Sequence, residues 1–146
     1  MSAAAIPYFQ NTLTATPSRA ATAILRLPVS LLRILNLLAE SGEDDYGAIG
    51  PSQFAFLTAF RMVADAIGIL GEDFACSAAV DSHGGVRVEW RKGDRQVKLV
   101  CPATRESPVY IYQASPAGNS IRNQGVTSAA LAGWLSWVIN RDSAPR

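Results

Sequence analysis

The stretch Asp81-Ser-His-Gly-Gly-Val-Arg-Val-Glu-Trp-Arg-Lys-Gly-Asp-Arg-Gln-Val-Lys-Leu-Val-Cys101 decides the fold that this sequence predicts. Between Val86 and Trp90, apolar side chains alternate with charged ones, as in a strand with one buried and one solvated face. The alternation returns between Val97 and Cys101, and Lys92-Gly93-Asp94 supplies the glycine of a tight turn. The sequence therefore predicts a β-hairpin.

Two helices are expected before the hairpin. The first begins near Pro28, whose missing N–H suits a first turn, and ends at Ser41-Gly42. Its apolar residues recur at helical spacing: Leu31, Leu32, Ile34, Leu35 and Leu38. The segment from Ala20 to Leu27 fits either extra helical turns or a short strand.

The second helix is capped by Ser52 and closed by Gly68 or Gly71. Its predicted buried stripe consists of Phe54, Phe56, Leu57, Phe60, Val63 and Ile67. Large apolar residues on three sides of one helix exceed what a small sheet needs to bury. We expect part of this surface to contact another chain or a second copy.

More strands and a closing helix are expected after the hairpin. Ala75–Ala79 is interpreted as a linker, Val109–Tyr112 as a third strand, Ser115–Asn119 as a loop and Ser120–Gln124 as a weak fourth strand. Thr127 caps a last helix. That helix presents one apolar face to the sheet: Leu131, Trp134, Leu135 and Val138.

These patterns predict an α+β fold. It has two N-terminal helices, a three- to four-stranded antiparallel β-meander and a C-terminal helix packed on the sheet, with Trp90 and Trp134 in the core. We expect a flexible N-terminal arm over residues 1–18 and a single domain over residues 19–142.

Composition narrows the class of protein. A chain of 146 residues with 49% hydrophobic residues can bury a core without disulfides or a metal ion. Cys76 and Cys101 are therefore expected to be buried thiols in a reducing compartment. The net charge of +1 lacks the basic excess of a dedicated nucleic-acid-binding protein.

The N-terminal region resembles a targeting segment only in composition. Arg19, Arg26 and Arg33 occur with no acidic residue before Glu40, as in organellar transit peptides, but the leucines of this region continue into the globular part. Arginines and Pro28 also interrupt the apolar run, which argues against a membrane span. We expect a cytoplasmic protein with no membrane partner.

Two stretches together resemble a widespread group of small uncharacterised bacterial proteins. The first is Asp44-Asp45-Tyr46-Gly47-Ala48 followed by Pro51-Ser52, and the second is Asp81–Trp90. Members of the group carry a Trp-Asp-Gly-Tyr-Gly-Ala loop, an Asp-Gly-Gly-Val-x-Leu-Glu-Trp strand, a short meander and a C-terminal Trp-Leu helix, whose counterpart is Leu131–Val138.

The resemblance covers roughly Leu31–Val138, with two departures. Glu43-Asp44-Asp45 stands where the group has Trp-Asp-Gly, and Ser82-His83 lengthens the turn before the strand. The resemblance implies no established activity, cofactor or catalytic residue. It implies a bacterial or mobile-element origin and action through a protein partner.

Catalytic and metal sites are not indicated. Asp81, Ser82 and His83 contain the residue types of a hydrolytic triad, but triad members meet through the fold and need an oxyanion site, so we interpret them as turn residues. One histidine and two distant cysteines lack the paired spacing of zinc ligands. We expect no enzyme activity, no cofactor and no metal.

Two surfaces are candidates for binding. Glu43, Asp44, Asp45 and Tyr46 form an acidic loop with an aromatic anchor, which fits a partner-binding site, although a solvated loop or a cation site has the same composition. The hairpin is basic, and with the third strand it could offer charge and stacking rings to single-stranded nucleic acid. The residues of that face are Arg87, Arg91, Lys98, Tyr110 and Tyr112, with Lys92 and Arg95 adding to the charge.

The predicted function is that of a non-enzymatic protein-interaction module. It binds and modulates a partner protein, whose gene is expected nearby, in a bacterial defence, toxin-neutralising or phage-related context. The alternative is a small RNA- or DNA-binding module that uses the basic hairpin face and the tyrosines. A homo-oligomer is left open.

Overall fold

The computed structural model describes residues 27–40 and 50–140 and confirms the α+β class. The elements in chain order are α1 Val29–Glu40, α2 Gln53–Leu70, β1 Ser77–Val80, β2 Val86–Lys92, β3 Arg95–Cys101, β4 Tyr110–Ser115, β5 Gly118–Arg122 and α3 Ser128–Asn140. The predicted arm over residues 1–18 lies outside the described residues, and the predicted domain limits stay a prediction.

The five strands form one antiparallel meander in the order β1-β2-β3-β4-β5. The hairpin has the predicted register, with Trp90 opposite Val97. Its two-residue turn uses Gly93 at a φ of 61°, a left-handed conformation that favours glycine. Five strands replace the predicted three or four.

The strand that the sequence did not reveal is β1. It is built from Ser, Ala and Val, residues that carry little strand signal, yet it pairs with β2 from Ser77 to Val80. Helix α1 packs against β1, so small side chains are suited to this edge. Exposure alternates along the strand, but over four residues the alternation is too short to predict it.

The last strands are also shifted from their predicted positions. Strand β4 runs on to Ser115 and β5 begins at Gly118, so a two-residue turn replaces the predicted loop over 115–119. The register is set by pairing with β4, with Ile121 opposite Tyr112, and the side chains of β5 are mostly exposed. Since β5 buries little apolar surface, no hydrophobic pattern in the sequence marks where the strand begins and ends.

Helix α1 is oriented by its first turn. The buried hydroxyl of Ser30 contacts the Asp73 carboxylate and lies 2.6 Å from the Phe74 carbonyl oxygen. The backbone N–H of Ser30 donates to the same carboxylate at 3.3 Å, so a negative charge lies at the helix N-terminus. This contact turns Ile34 and Leu37 into the core and leaves Leu38 exposed.

Helix α2 begins after Ser52, as predicted, and ends at Gly71, but its buried stripe agrees with the predicted one only at Val63. Ala55, Ala59, Val63 and Ala66 are buried, whereas the phenylalanines are half-buried. Packing against α3, β2 and β3 explains the difference, because small residues let a helix approach its neighbours closely. The large side chains therefore lie beside the contact.

Helix α3 confirms its prediction. The Thr127 hydroxyl accepts from the backbone N–H of Ala130 at 3.1 Å, and the predicted face is buried against β2 and β3. Trp134 and Trp137 pack edge to face with ring centroids 5.4 Å apart. Trp90 and Trp134 lie in the same core cluster.

The helices and the sheet form two layers with the core between them. The buried side chains of the central strands face the helices: Val86, Val88, Trp90, Val97, Leu99, Cys101 and Ile111. The alternate residues of the same strands point to the other side of the sheet. That side is not covered by α1, α2 or α3.

Replacing Trp90 with alanine tests this core. Trp90 is 2% exposed, so Trp90→Ala should lower the free energy of unfolding by about 3–5 kcal/mol. Denaturant unfolding monitored by circular dichroism measures the change. The matched control is Arg91→Ala, at the neighbouring exposed position, and this substitution should cost less than about 1 kcal/mol. Equal stability of both variants would contradict the register of the hairpin.

Candidate functional site

The acidic loop Glu43, Asp44, Asp45 and Tyr46 lies outside the described residues. Its role in partner binding therefore stays a prediction. Three regions of the described residues carry candidate functional side chains: the turn before β2, the face of the sheet away from the helices and the outer side of α2.

The turn before β2 is held by Asp81. The backbone N–H groups of His83 and Gly85 donate to its Oδ1 at 2.8 and 2.9 Å, and the Asp81 N–H donates to the Gly85 carbonyl. A side chain at Gly85 would collide with the Asp81 carboxylate and would lie 3.0 Å from the Cys101 carbonyl oxygen. The Asp-x-x-Gly-Gly sequence is thus explained by the conformation of the turn, which needs the Asp81 carboxylate as an acceptor and no side chain at Gly85.

This turn does not build a triad. The Asp81 carboxylate is engaged by backbone N–H groups, whereas a triad acid orients the imidazole. His83 is exposed, and its Nδ1 lies 3.2 Å from Ser82 Oγ, a pair of sequence neighbours on the surface. The interpretation as turn residues agrees with these contacts.

Hydrogen bonding changes the acidity of this carboxylate. Burial raises the pKa of Asp81, but the N–H groups of Gly85 and His83 and the positive charge of Arg87 outweigh burial and hold the pKa below its ordinary value. The charged form is therefore the one that the turn stabilises.

The two cysteines are free and buried. Burial raises the pKa of Cys101 to about 12 and also raises that of Cys76, so both thiols stay protonated and poorly nucleophilic at neutral pH. Within residues 27–40 and 50–140, no three His, Cys, Asp or Glu side chains cluster as metal ligands would.

The face of the sheet that points away from α1, α2 and α3, called the open face, brings the predicted basic and aromatic residues together. Arg87, Val100 and Tyr110 form one cross-strand row, and Glu89, Lys98, Tyr112 and Ile121 form the next. Val100, an apolar exception in the pattern, is only 6% exposed between its two larger neighbours. Both tyrosines share this face with the cations.

A shallow groove of about 460 Å³ crosses the open face. Arg87, Arg91 and Lys98 contribute three positive charges to it and Glu89 one negative charge, which forms an exposed ion pair with Arg91 at 3.0 Å. The Lys98 ammonium lies 5.6 Å from the centre of the Tyr112 ring. The groove is therefore basic and carries aromatic rings.

The remaining hairpin cations have a structural role. Lys92 Nζ donates to the Ile139 carbonyl at 3.0 Å, and Arg95 donates to the Trp137 carbonyl at 2.8 Å. The Arg95 guanidinium also lies 4.7 Å from the Trp137 ring centre. Positive charges satisfy the carbonyl groups at the C-terminal end of α3, so these two cations do not add to the open face as the sequence suggested.

The outer side of α2 exposes apolar surface. Phe56 and Phe60 stack with ring centroids 5.9 Å apart and pack against the core, whereas Phe54 and Leu57 lie outside that packing. Among the described residues, α2 is one helix that is long and apolar enough to cross a membrane by length and composition, and four of its 18 residues are buried.

Comparisons of the chain with protein-family models, curated proteins and solved structures give no match. The resemblance to a bacterial group stays a sequence-based expectation. The candidate sites therefore rest on the residues and contacts of this chain.

The acidity of Asp81 gives a pH test of the turn. A depressed pKa stabilises the fold above the ordinary carboxyl value of about 3.9, and this contribution is lost as the pH falls through the folded-state pKa. Asp81→Asn should therefore be less stable than the parent at pH 7 and equally stable near about pH 2. Unfolding curves across this range measure the difference.

The matched control is Asp94→Asn, at an exposed acid in the turn between β2 and β3. It should show a smaller stability difference at pH 7. A difference for Asp81→Asn that does not vary with pH would contradict a stabilising charge at this turn.

Proposed function

We propose that this protein is a non-enzymatic interaction module that binds and modulates a partner protein. The bacterial defence, toxin-neutralising or phage-related setting follows from the resemblance, and the gene of the partner is expected nearby. The proposal includes no cofactor and a cytoplasmic location, in keeping with two free buried cysteines.

The observation that carries the proposal is the apolar surface that α2 keeps outside the core. Phe54 and Leu57 are half-buried outside the core cluster, and Ile69 is 59% exposed. Aromatic and aliphatic side chains grouped on a surface are typical of protein-binding sites.

The non-enzymatic character has independent support. In the described residues, the histidine is exposed in a turn, the nearby carboxylate is held by backbone N–H groups and both thiols are buried with raised pKa values. The one nucleophile–base contact among them, between Ser82 Oγ and His83 Nδ1, lacks a carboxylate that orients the imidazole, because Asp81 Oδ1 accepts from backbone N–H groups.

The acidic loop provides the first test of partner binding. Tyr46→Ala and the double change Asp44→Lys/Asp45→Lys should leave thermal stability unchanged and weaken binding to the co-purifying partner by at least about 1–2 kcal/mol. Isothermal titration beside thermal melting measures both quantities. Charge reversal of Arg87 and Lys98 on the open face is the control and should not weaken that binding.

A second function is favoured by the open face, where Arg87, Arg91 and Lys98 lie beside Tyr110 and Tyr112. Cations that hold phosphates beside rings that stack on bases are the elements of single-strand recognition. In this case the ligand would be single-stranded RNA or DNA. The small net charge of the chain does not prevent such local recognition.

Salt dependence tests the second function. Arg87→Glu/Lys98→Glu should weaken binding to a labelled mixed-sequence single-stranded oligonucleotide and reduce the salt dependence, by about 0.7 in the log–log slope for each phosphate that the variant no longer neutralises. Fluorescence anisotropy over a salt series measures it. If the double change abolishes partner binding while the acidic-loop variants bind normally, the nucleic-acid function becomes the leading one.

A further inference from the structure

We propose that a groove on the outer side of α2 binds a peptide segment that carries acidic side chains beside apolar ones. The groove, called here the α2 groove, lies between α2 and the β3–β4 loop and is lined by Phe54, Leu57, Met62, Arg61 and Arg105, among others. The inference rests on the proposed protein-binding function and names the surface and the chemistry of the partner.

The floor of the α2 groove is apolar. The helical residues that line it are three or four positions apart, Phe54 with Leu57 and Thr58, then Arg61 and Met62, so they follow one side of α2. Phe54 and Leu57 make no contribution to the core cluster, in contrast to Phe56 and Phe60 on the opposite side of the buried stripe. An apolar side chain of a partner would recover the burial that these two residues lack.

The rim of the α2 groove is positive. Arg61 projects from α2 and is exposed, and Arg105 comes from the β3–β4 loop with its guanidinium 5.6 Å from the centre of the Phe54 ring. Ser52 holds this loop against the helix, since its hydroxyl donates to the Ala103 carbonyl at 2.7 Å. The position of Arg105 beside Phe54 is therefore built into the start of α2.

Two acidic side chains near the groove, Glu106 and Asp65, have hydrogen-bond partners of their own. No acid lines it among the described residues. A hydrogen bond with the Thr104 side chain, followed by smaller contributions that include the Arg105 charge, lowers the pKa of the exposed Glu106. Asp65, one turn beyond Arg61, accepts from the Ser128 hydroxyl at 3.3 Å. A carboxylate brought by a partner would meet two guanidinium groups on the rim.

The shape favours a peptide over a membrane surface or a nucleic acid. The groove is a concavity of about 540 Å³, which admits side chains that project from a chain, whereas a bilayer receives apolar residues that project from the protein. A nucleic acid would satisfy the arginines and could stack on Phe54, but it would not fill the aliphatic part of the floor. Leu57 and Met62 therefore favour a peptide whose acidic and apolar residues alternate along one side.

Peptide selection on the whole protein tests the inference without knowledge of the natural partner. A random peptide library displayed on phage is selected against the parent protein, and the enriched peptides are synthesised and titrated. They should combine Asp or Glu with Leu, Ile, Phe or Trp. Arg61→Glu/Arg105→Glu should weaken their binding at least roughly tenfold.

Three controls accompany the titration. Arg87→Glu/Lys98→Glu introduces the same charge change on the open face and should leave peptide binding intact. Leu57→Ser should weaken binding with only a small loss of thermal stability, since Leu57 is half-buried and lies outside the core packing. Vesicles of phosphatidylcholine and phosphatidylserine replace the peptide in a parallel titration.

The outcomes separate this inference from the proposed function. The inference is overturned if the peptides bind Arg61→Glu/Arg105→Glu as tightly as the parent but bind a variant of another surface, such as Arg87→Glu/Lys98→Glu, more weakly. That result leaves a protein-binding function standing. Enrichment of no peptide, with vesicles or oligonucleotides bound instead, overturns both. A large gain of peptide affinity in Asp44→Lys/Asp45→Lys would assign the groove to the chain's own acidic residues and would also overturn a partner site.

Discussion

The close approach of α2 to the rest of the fold depends on its alanine stripe. Ala55, Ala59 and Ala66 are fully buried where α2 meets α3 and the sheet, and such small side chains allow a helix to pack closely on its neighbours. Because the alanines occupy the centre of this contact, the large side chains of α2 lie at its edges. Phe56 and Phe60 close one edge of the core, and Phe54 and Leu57 are left on the outside. The surface proposed for binding is thus a consequence of how the core is packed.

A second constraint acts at the start of α2, where Ser52 joins three parts of the chain. Its hydroxyl accepts from the N–H of Ala55 at 3.0 Å and donates to the Ala103 carbonyl, and its own N–H donates to the Gly84 carbonyl at 2.8 Å. The helix start, the turn before β2 and the loop after β3 therefore share one residue. Because Arg105 is two residues beyond Ala103, the helix cap also positions the rim of the α2 groove.

The elements that the sequence predicted well are those that bury a regular apolar pattern. The hairpin and α3 alternate or repeat at the spacing of their secondary structure, and their limits and buried faces agree with the prediction. Strand β1 and strand β5 are edges with small or exposed side chains, so backbone pairing forms them and no hydrophobic pattern marks them. For α2, the prediction assigned the largest apolar side chains to the buried stripe, whereas the small alanines are the residues that fit a close contact.

The positions of the basic side chains in space also could not be predicted from the sequence. A net charge of +1 says nothing about where thirteen basic side chains lie, and neighbours in sequence separate in space. Arg91 stays on the open face, whereas Lys92 and Arg95 turn to the end of α3. Arg61 and Arg105, far apart in sequence, both line the α2 groove. The chain therefore places two basic surfaces on different sides of a nearly neutral protein, one with two tyrosines and one with Leu57 and Met62 beside Phe54. This difference in apolar chemistry favours a nucleic-acid ligand on the first surface and a peptide on the second.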